Sequence, residues 1–165
     1  MKKVLVLLLF LLPLIALTQG LQKNTIDWLS LDKAIEYSEK YNKQVLIYFY
    51  KKNCEFCDKM MNQTLNQIEV VTLINNNFFP VKINSRTKDT IYYKGKAYGN
   101  QQPIEHGSTW RHDFYFEVAS FTRNEKPQST TPTIVLFNNK FEKIKSFPGY
   151  QPKQQLVRGL SKYKN

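Results

Sequence analysis

The stretch YFYKKNCEFCDKM, residues 48–60, holds both cysteines of the chain, Cys54 and Cys57. A continuous apolar run, VLIYFY at 45–50, leads into it. Runs of this kind, rich in β-branched and aromatic residues, form strands buried on both faces, as in a parallel sheet. From Phe56 the pattern turns helical, with Cys57, Met61 and Leu65 recurring every four residues. The reading is a buried strand that ends in a helix, with Cys54 at the junction and Cys57 one turn later. Positions i and i+3 of a helical turn face the same side. Their Cα atoms then lie on the order of 5 Å apart, inside the window for an unstrained disulfide. A pair so placed can be a redox couple, half of a metal site, a haem attachment point or a structural staple.

Working outward, helices and strands alternate. Residues 30–43 read as a helix capped by Ser30, with Leu31, Ala34, Ile35 and Ser38 on one face and Trp28 packed beside it. NQIE at 66–69 resembles a capping box and starts a second helical piece through Ile74. FFPVKIN at 78–84 is the next strand, and Pro80 places its beginning near an edge or a strand start. Residues 85–130 exceed a simple connection. They hold a hairpin turning at Lys94-Gly95, a loop at QQPIEHGS, and a helix over 110–121. TPTIVLF at 131–137 and FEKIKSF at 141–147 read as a hairpin turning at Asn138-Asn139, and Pro152 opens a last helix with Leu156, Val157 and Leu160 inward. Strands joined by helices imply parallel pairing, and the late hairpin adds antiparallel strands. The expected fold class is therefore α/β: a mixed sheet flanked by helices, with a hairpin-plus-helix insert.

The 165 residues suit one domain with a real core, and 42% hydrophobic and 14% aromatic content excludes a disordered chain. Residues 1–20 read as a signal peptide: Lys2 and Lys3, an apolar run over 4–17, then small residues. The run is short for a bilayer span, so no stable membrane span is expected after cleavage. The domain then covers residues 21–165, and the protein is exported, periplasmic or secreted. Losing Lys2 and Lys3 lowers the formal charge from +11 to +9. The lysines and arginines are scattered, which argues against a nucleic-acid partner. Export also places the cysteines where disulfides persist.

The alternatives for the pair separate on chemistry. A metal site needs more ligands, and the only histidines, His106 and His112, fit no zinc-finger spacing, so no metal or other cofactor is expected. His112 reads instead as a helix-face or capping residue. Asp58, not histidine, follows Cys57, against haem attachment. A loop this small restrains little unfolded-chain entropy, against a plain staple. Redox exchange is left as the leading reading, with a binding or metal-handling module of little turnover as the alternative.

The Cys54-Glu55-Phe56-Cys57 motif, the strand VLIYFY before it, Thr131-Pro132-Thr133 before IVLF, and FPGY at 147–150 resemble the thioredoxin superfamily, in particular exported bacterial thioredoxin-related proteins. The resemblance implies a thioredoxin-like fold and thiol–disulfide exchange with protein disulfides, supplied by an electron-donor thiol protein. It implies that Cys54 is the nucleophile and Cys57 the resolving thiol. It also implies that Pro132 is cis and that Thr131 offers its backbone to an extended substrate. One position departs from the pattern. Thioredoxins commonly carry a buried aspartate where Tyr48 stands. Around Cys54, the helix N-terminus, Lys51 and Lys52 favour a thiolate while Glu55 opposes it, so a couple of reducing character is expected.

Overall fold

The computed structural model describes residues 24–100, 110–124 and 126–164. The signal-peptide reading, the QQPIEHGS loop and His106 lie outside them.

Four strands form the central sheet: β1 (Gln44–Tyr50), β2 (Phe78–Asn84), β7 (Thr133–Phe137) and β8 (Lys143–Pro148), in the order β2-β1-β7-β8. β1 and β2 run parallel, and β7 is antiparallel to both β1 and β8. Successive side chains of a strand point to opposite faces. Val45, Ile47 and Phe49 of β1 therefore meet α1 (Leu31–Tyr41) and the insert. Leu46 and Tyr48 meet residues of α2 (Glu55–Met60), α3 (Ile68–Asn77) and α5 (Lys153–Leu160) on the other face. With both faces covered, all five central residues of β1 are buried. This is why VLIYFY is continuous and not alternating.

Pro80 sits in the edge strand β2, where its carbonyl accepts the Leu29 N–H at 2.8 Å. Its missing donor thus faces away from β1. The extended approach of residues 28–29 also corrects the placement of Trp28. Neighbours on an extended chain point to opposite sides, so Leu29 packs in the cluster with α1 while Trp28 lies across the sheet, 6.0 Å from Tyr48.

The helix after the cysteines changes pitch. Met61–Leu65 is a π-helical turn in which Asn66 N–H bonds to Met61 O at 3.0 Å. The wider turn breaks the four-residue spacing, so Met60 is fully buried while Met61 is only partly so. Asn66 closes this turn instead of opening a helix. α3 begins at Ile68 behind Gln67, which makes no side-chain cap, so the capping box is not formed.

The insert contains the hairpin β3 (Ile91–Tyr93) and β4 (Lys96–Tyr98), turning through Lys94 and Gly95 at φ 50° and 74°. Its helix α4 spans only Asp113–Ala119, shorter than the 110–121 expected, because His112 caps it and Phe121 already starts a strand. β5 (Phe121–Arg123) and β6 (Lys126–Gln128) make a second hairpin that the sequence pattern does not reveal.

Candidate redox site

β1 delivers the chain to the site and Asn53, in the left-handed region at φ 53°, turns it into α2. Asparagine tolerates this conformation better than most side chains. Cys54 is the N-cap, and its Sγ accepts the Cys57 N–H at 3.2 Å. The two Cα atoms are 5.2 Å apart and the sulfurs are joined in a disulfide. Both residues are largely covered, but unequally: Cys54 is 6% exposed and Cys57 2%.

The loop before β7 closes over Cys54. The Thr131–Pro132 peptide is cis. Cys54 Sγ lies 3.7 Å from the Thr131 carbonyl oxygen and 4.0 Å from its Oγ1. Gly149, at φ 78°, donates its N–H to Pro132 O at 2.8 Å, so the FPGY segment holds the loop from behind. Cys54, Cys57, Thr131 and Pro132, the four site residues read from the sequence, thus form one cluster.

The insert supports the same loop. Tyr115 of α4 donates its hydroxyl to Thr130 O at 2.5 Å, and Thr133 donates to the same oxygen at 2.6 Å. His112 anchors the start of α4: Nδ1 accepts the Phe114 N–H at 3.1 Å, and Nε2 lies 2.9 Å from Asp89 O. Nδ1 is thus the acceptor of the ring, and Nε2 is the nitrogen that faces a carbonyl. Among the described residues, no group of three or more His, Cys, Asp or Glu side chains is placed to hold a metal.

Tyr48 stands behind the pair. It is fully buried and donates its hydroxyl to Cys57 O at 3.2 Å. Burial first, then the Asp58 carboxylate and Tyr50, push the phenol well above its ordinary value. It stays protonated at neutral pH, where it can orient the Cys57 carbonyl but cannot take a proton from a thiol. A cleft lined by Tyr48, Tyr50, Cys57, Asp58 and Lys82 opens there, and Asp58 is the carboxylate that lines it. The sequence reading passed over Asp58 in this role; its adjacency to Cys57 was the available signal.

These phenols also set a stability limit. Tyr115, like Tyr48, is raised chiefly by burial. Both groups stay neutral in the fold after an unfolded tyrosine, with its pKa near 10, has begun to ionise. Stability is therefore fully present below about pH 10 and is lost as pH rises toward the folded values. Urea midpoints should fall across this range, and Tyr48→Phe should make the fall shallower. A midpoint flat with pH would remove the assignment.

A thioredoxin-like domain model matches residues 31–164. The chain belongs to the thioredoxin-like family. Among solved structures it is similar to a DsbH oxidoreductase, at 16% identity over 88% of each chain and a TM-score of 0.59. It is also similar to a thioredoxin from Thermus thermophilus, at 17% identity over 86% of this chain and 88% of that one, with a TM-score of 0.56. No match was found among curated proteins. Family membership and the Cys-x-x-Cys pair closed at the strand–helix junction make this thioredoxin-like protein a thiol:disulfide oxidoreductase. No helix among its described residues is long and apolar enough to cross a membrane.

Proposed function

We propose that this protein is an exported reductase of protein disulfides, with Cys54 as nucleophile and Cys57 as resolving thiol. The observation that carries the reading is the placement of Cys54, the more exposed of the two cysteines, with its Sγ 3.7 Å from the backbone oxygen of Thr131, one turn before the more buried Cys57. In the reduced protein the Cys54 thiolate attacks one sulfur of a substrate disulfide. A mixed disulfide forms and the other substrate sulfur leaves as a thiolate. The Cys57 thiolate then attacks Cys54 Sγ, which closes the pair and releases the second substrate sulfur. Two electrons pass to the substrate, and a donor thiol protein returns two to the pair. Thr131 and Pro132 are the surface on which an extended substrate lies.

Glu55 supports the reducing direction, because a like charge beside Cys54 disfavours the thiolate that a strong oxidant must stabilise. The apolar run near the N-terminus supports export. Equilibration with glutathione buffers is the test of direction. The couple should lie nearer about −270 mV than about −120 mV. A potential above about −170 mV would overturn the reductase reading and favour oxidation or isomerisation.

A further inference from the structure

The outer edge of β2 is covered only at its start. Backbone groups alternate in direction along a strand. The Pro80 carbonyl points outward, to the Leu29 N–H at 2.8 Å, and the Ser85 N–H points inward, to Tyr50 O at 2.7 Å. Lys82 and Asn84 therefore face outward with Pro80. Leu29 makes one parallel bridge, to Val81, and the chain then turns away at Ser30, the N-cap of α1. Past that bridge the Lys82 carbonyl and the Asn84 N–H stand on the open edge of the sheet, since β2 is its outermost strand. The Asn84 carbonyl is occupied by the Thr87 N–H at 2.9 Å.

A cavity of about 490 Å³ opens at this point. Leu29, Leu31, Val81, Ile83 and Ile91 give it an apolar lining, and Asp32 and Asp89 give it two carboxylates. The lysines nearby are engaged elsewhere. The Lys82 ammonium lies 4.7 Å over the Tyr50 ring and that of Lys33 5.3 Å over the Tyr37 ring. Lys88 donates to Asn100 O at 2.9 Å and lies 4.4 Å over the Trp110 ring. Open edge groups beside an apolar lining take up an extended chain as one more strand, and carboxylates select basic side chains on it. Tyr50 and Lys82 also line the cleft behind Cys57, so a chain seated here lies beside the redox pair.

We infer that the open edge of β2 docks an extended, basic segment of a partner protein as an added strand. The bound segment accepts a hydrogen bond from the Asn84 N–H and donates one to the Lys82 carbonyl. Its apolar side chains lie on Val81 and Ile83, and its lysines or arginines meet Asp32 and Asp89. This docking does not depend on exchange at Cys54–Cys57. It also runs against the formal charge of +11, which by itself favours acidic partners.

The test uses capped, cysteine-free peptides of about eight residues, long enough to pair along the free part of β2. One alternates valine and lysine, a second alternates valine and glutamate, and a third is the valine–lysine peptide with every central amide N-methylated. Fluorescence anisotropy with the oxidised protein should show the valine–lysine peptide binding roughly three- to tenfold more tightly than the valine–glutamate one at low salt, with the ratio falling as ionic strength rises. N-methylation should weaken binding roughly tenfold, through lost backbone bonds. In NMR spectra the Asn84 amide should shift on binding and exchange its proton with water more slowly. D32N/D89N should bring the lysine-to-glutamate ratio toward one. Equal or tighter binding of the glutamate peptide means attraction to net charge alone and overturns the inference. So does equal binding of the N-methylated peptide, or an Asn84 amide that stays unchanged while the peptide binds. The peptide comparisons need no variant, so they stand even where D32N/D89N folds poorly. No peptide carries a disulfide, so failure here leaves the exchange reading intact, and failure of exchange leaves this docking intact.

Discussion

Cys54→Ser should leave no measurable reduction of insulin by the purified protein in the presence of dithiothreitol, while Cys57→Ser should accumulate a mixed disulfide with substrate. The two variants differ because the two sulfurs occupy different places. Cys54 is the N-cap of α2, is the more exposed of the two, and faces Thr131. Cys57 lies one turn into the helix, its carbonyl held by Tyr48. A thiol with a pKa near 8.5 supplies some thiolate at neutral pH, whereas a serine hydroxyl supplies essentially no nucleophile, so removing Cys54 stops the first step. Removing Cys57 leaves that step intact and stops the second, because no neighbouring sulfur can displace the bound substrate. Non-reducing gels after acid quenching show this species directly. Trapping through Cys57 in the Cys54→Ser protein, or activity equal to the parent, would reverse the assignment of the two cysteines.

The site was legible where local pattern and chemistry coincide. VLIYFY is continuous because both faces of β1 are covered, and the spacing of Cys54 and Cys57 put them one helical turn apart, close enough to join. Thr131 and Pro132 were legible through family resemblance, since nothing local in TPT indicates that it meets a cysteine far back in the chain. Tyr48 was visible as a departure. Its bond to Cys57 O was not, because that depends on how the α2 backbone packs over β1. The π-helical turn was hidden for a similar reason: MNQTL fits an ordinary helix by pattern, and the wider turn shows only in the backbone. Trp28 was misplaced because helix proximity was inferred from sequence proximity, whereas an extended approach sends residues 28 and 29 to opposite faces.

The insert's part in this arrangement is open to the second large test. Phe114→Ala should destabilise the protein by about 3–5 kcal/mol, as expected when a fully buried phenylalanine is truncated. Phe114 is fully buried and packs against Phe49 of β1 at 6.0 Å, Tyr93 of β3 at 5.4 Å and Tyr98 of β4 at 6.0 Å. It therefore ties the insert hairpin, α4 and the central sheet into one cluster, and the cavity left by its ring cannot close without moving all three. Domain stabilities run from about 5 to 15 kcal/mol, so a loss of this size removes a large fraction of the total. The neighbouring Phe116 is 36% exposed, and Phe116→Ala should cost much less. Urea midpoints of the two variants and the parent give the comparison. Disulfide exchange in Phe114→Ala should also slow at temperatures where the protein is still folded, because Tyr115 on the same helix holds Thr130 beside the Thr131 that faces Cys54. Equal costs for the two variants would show that the insert is an appendage outside the core. A normal exchange rate in a destabilised Phe114→Ala protein would show that the Thr131 loop keeps its position without α4.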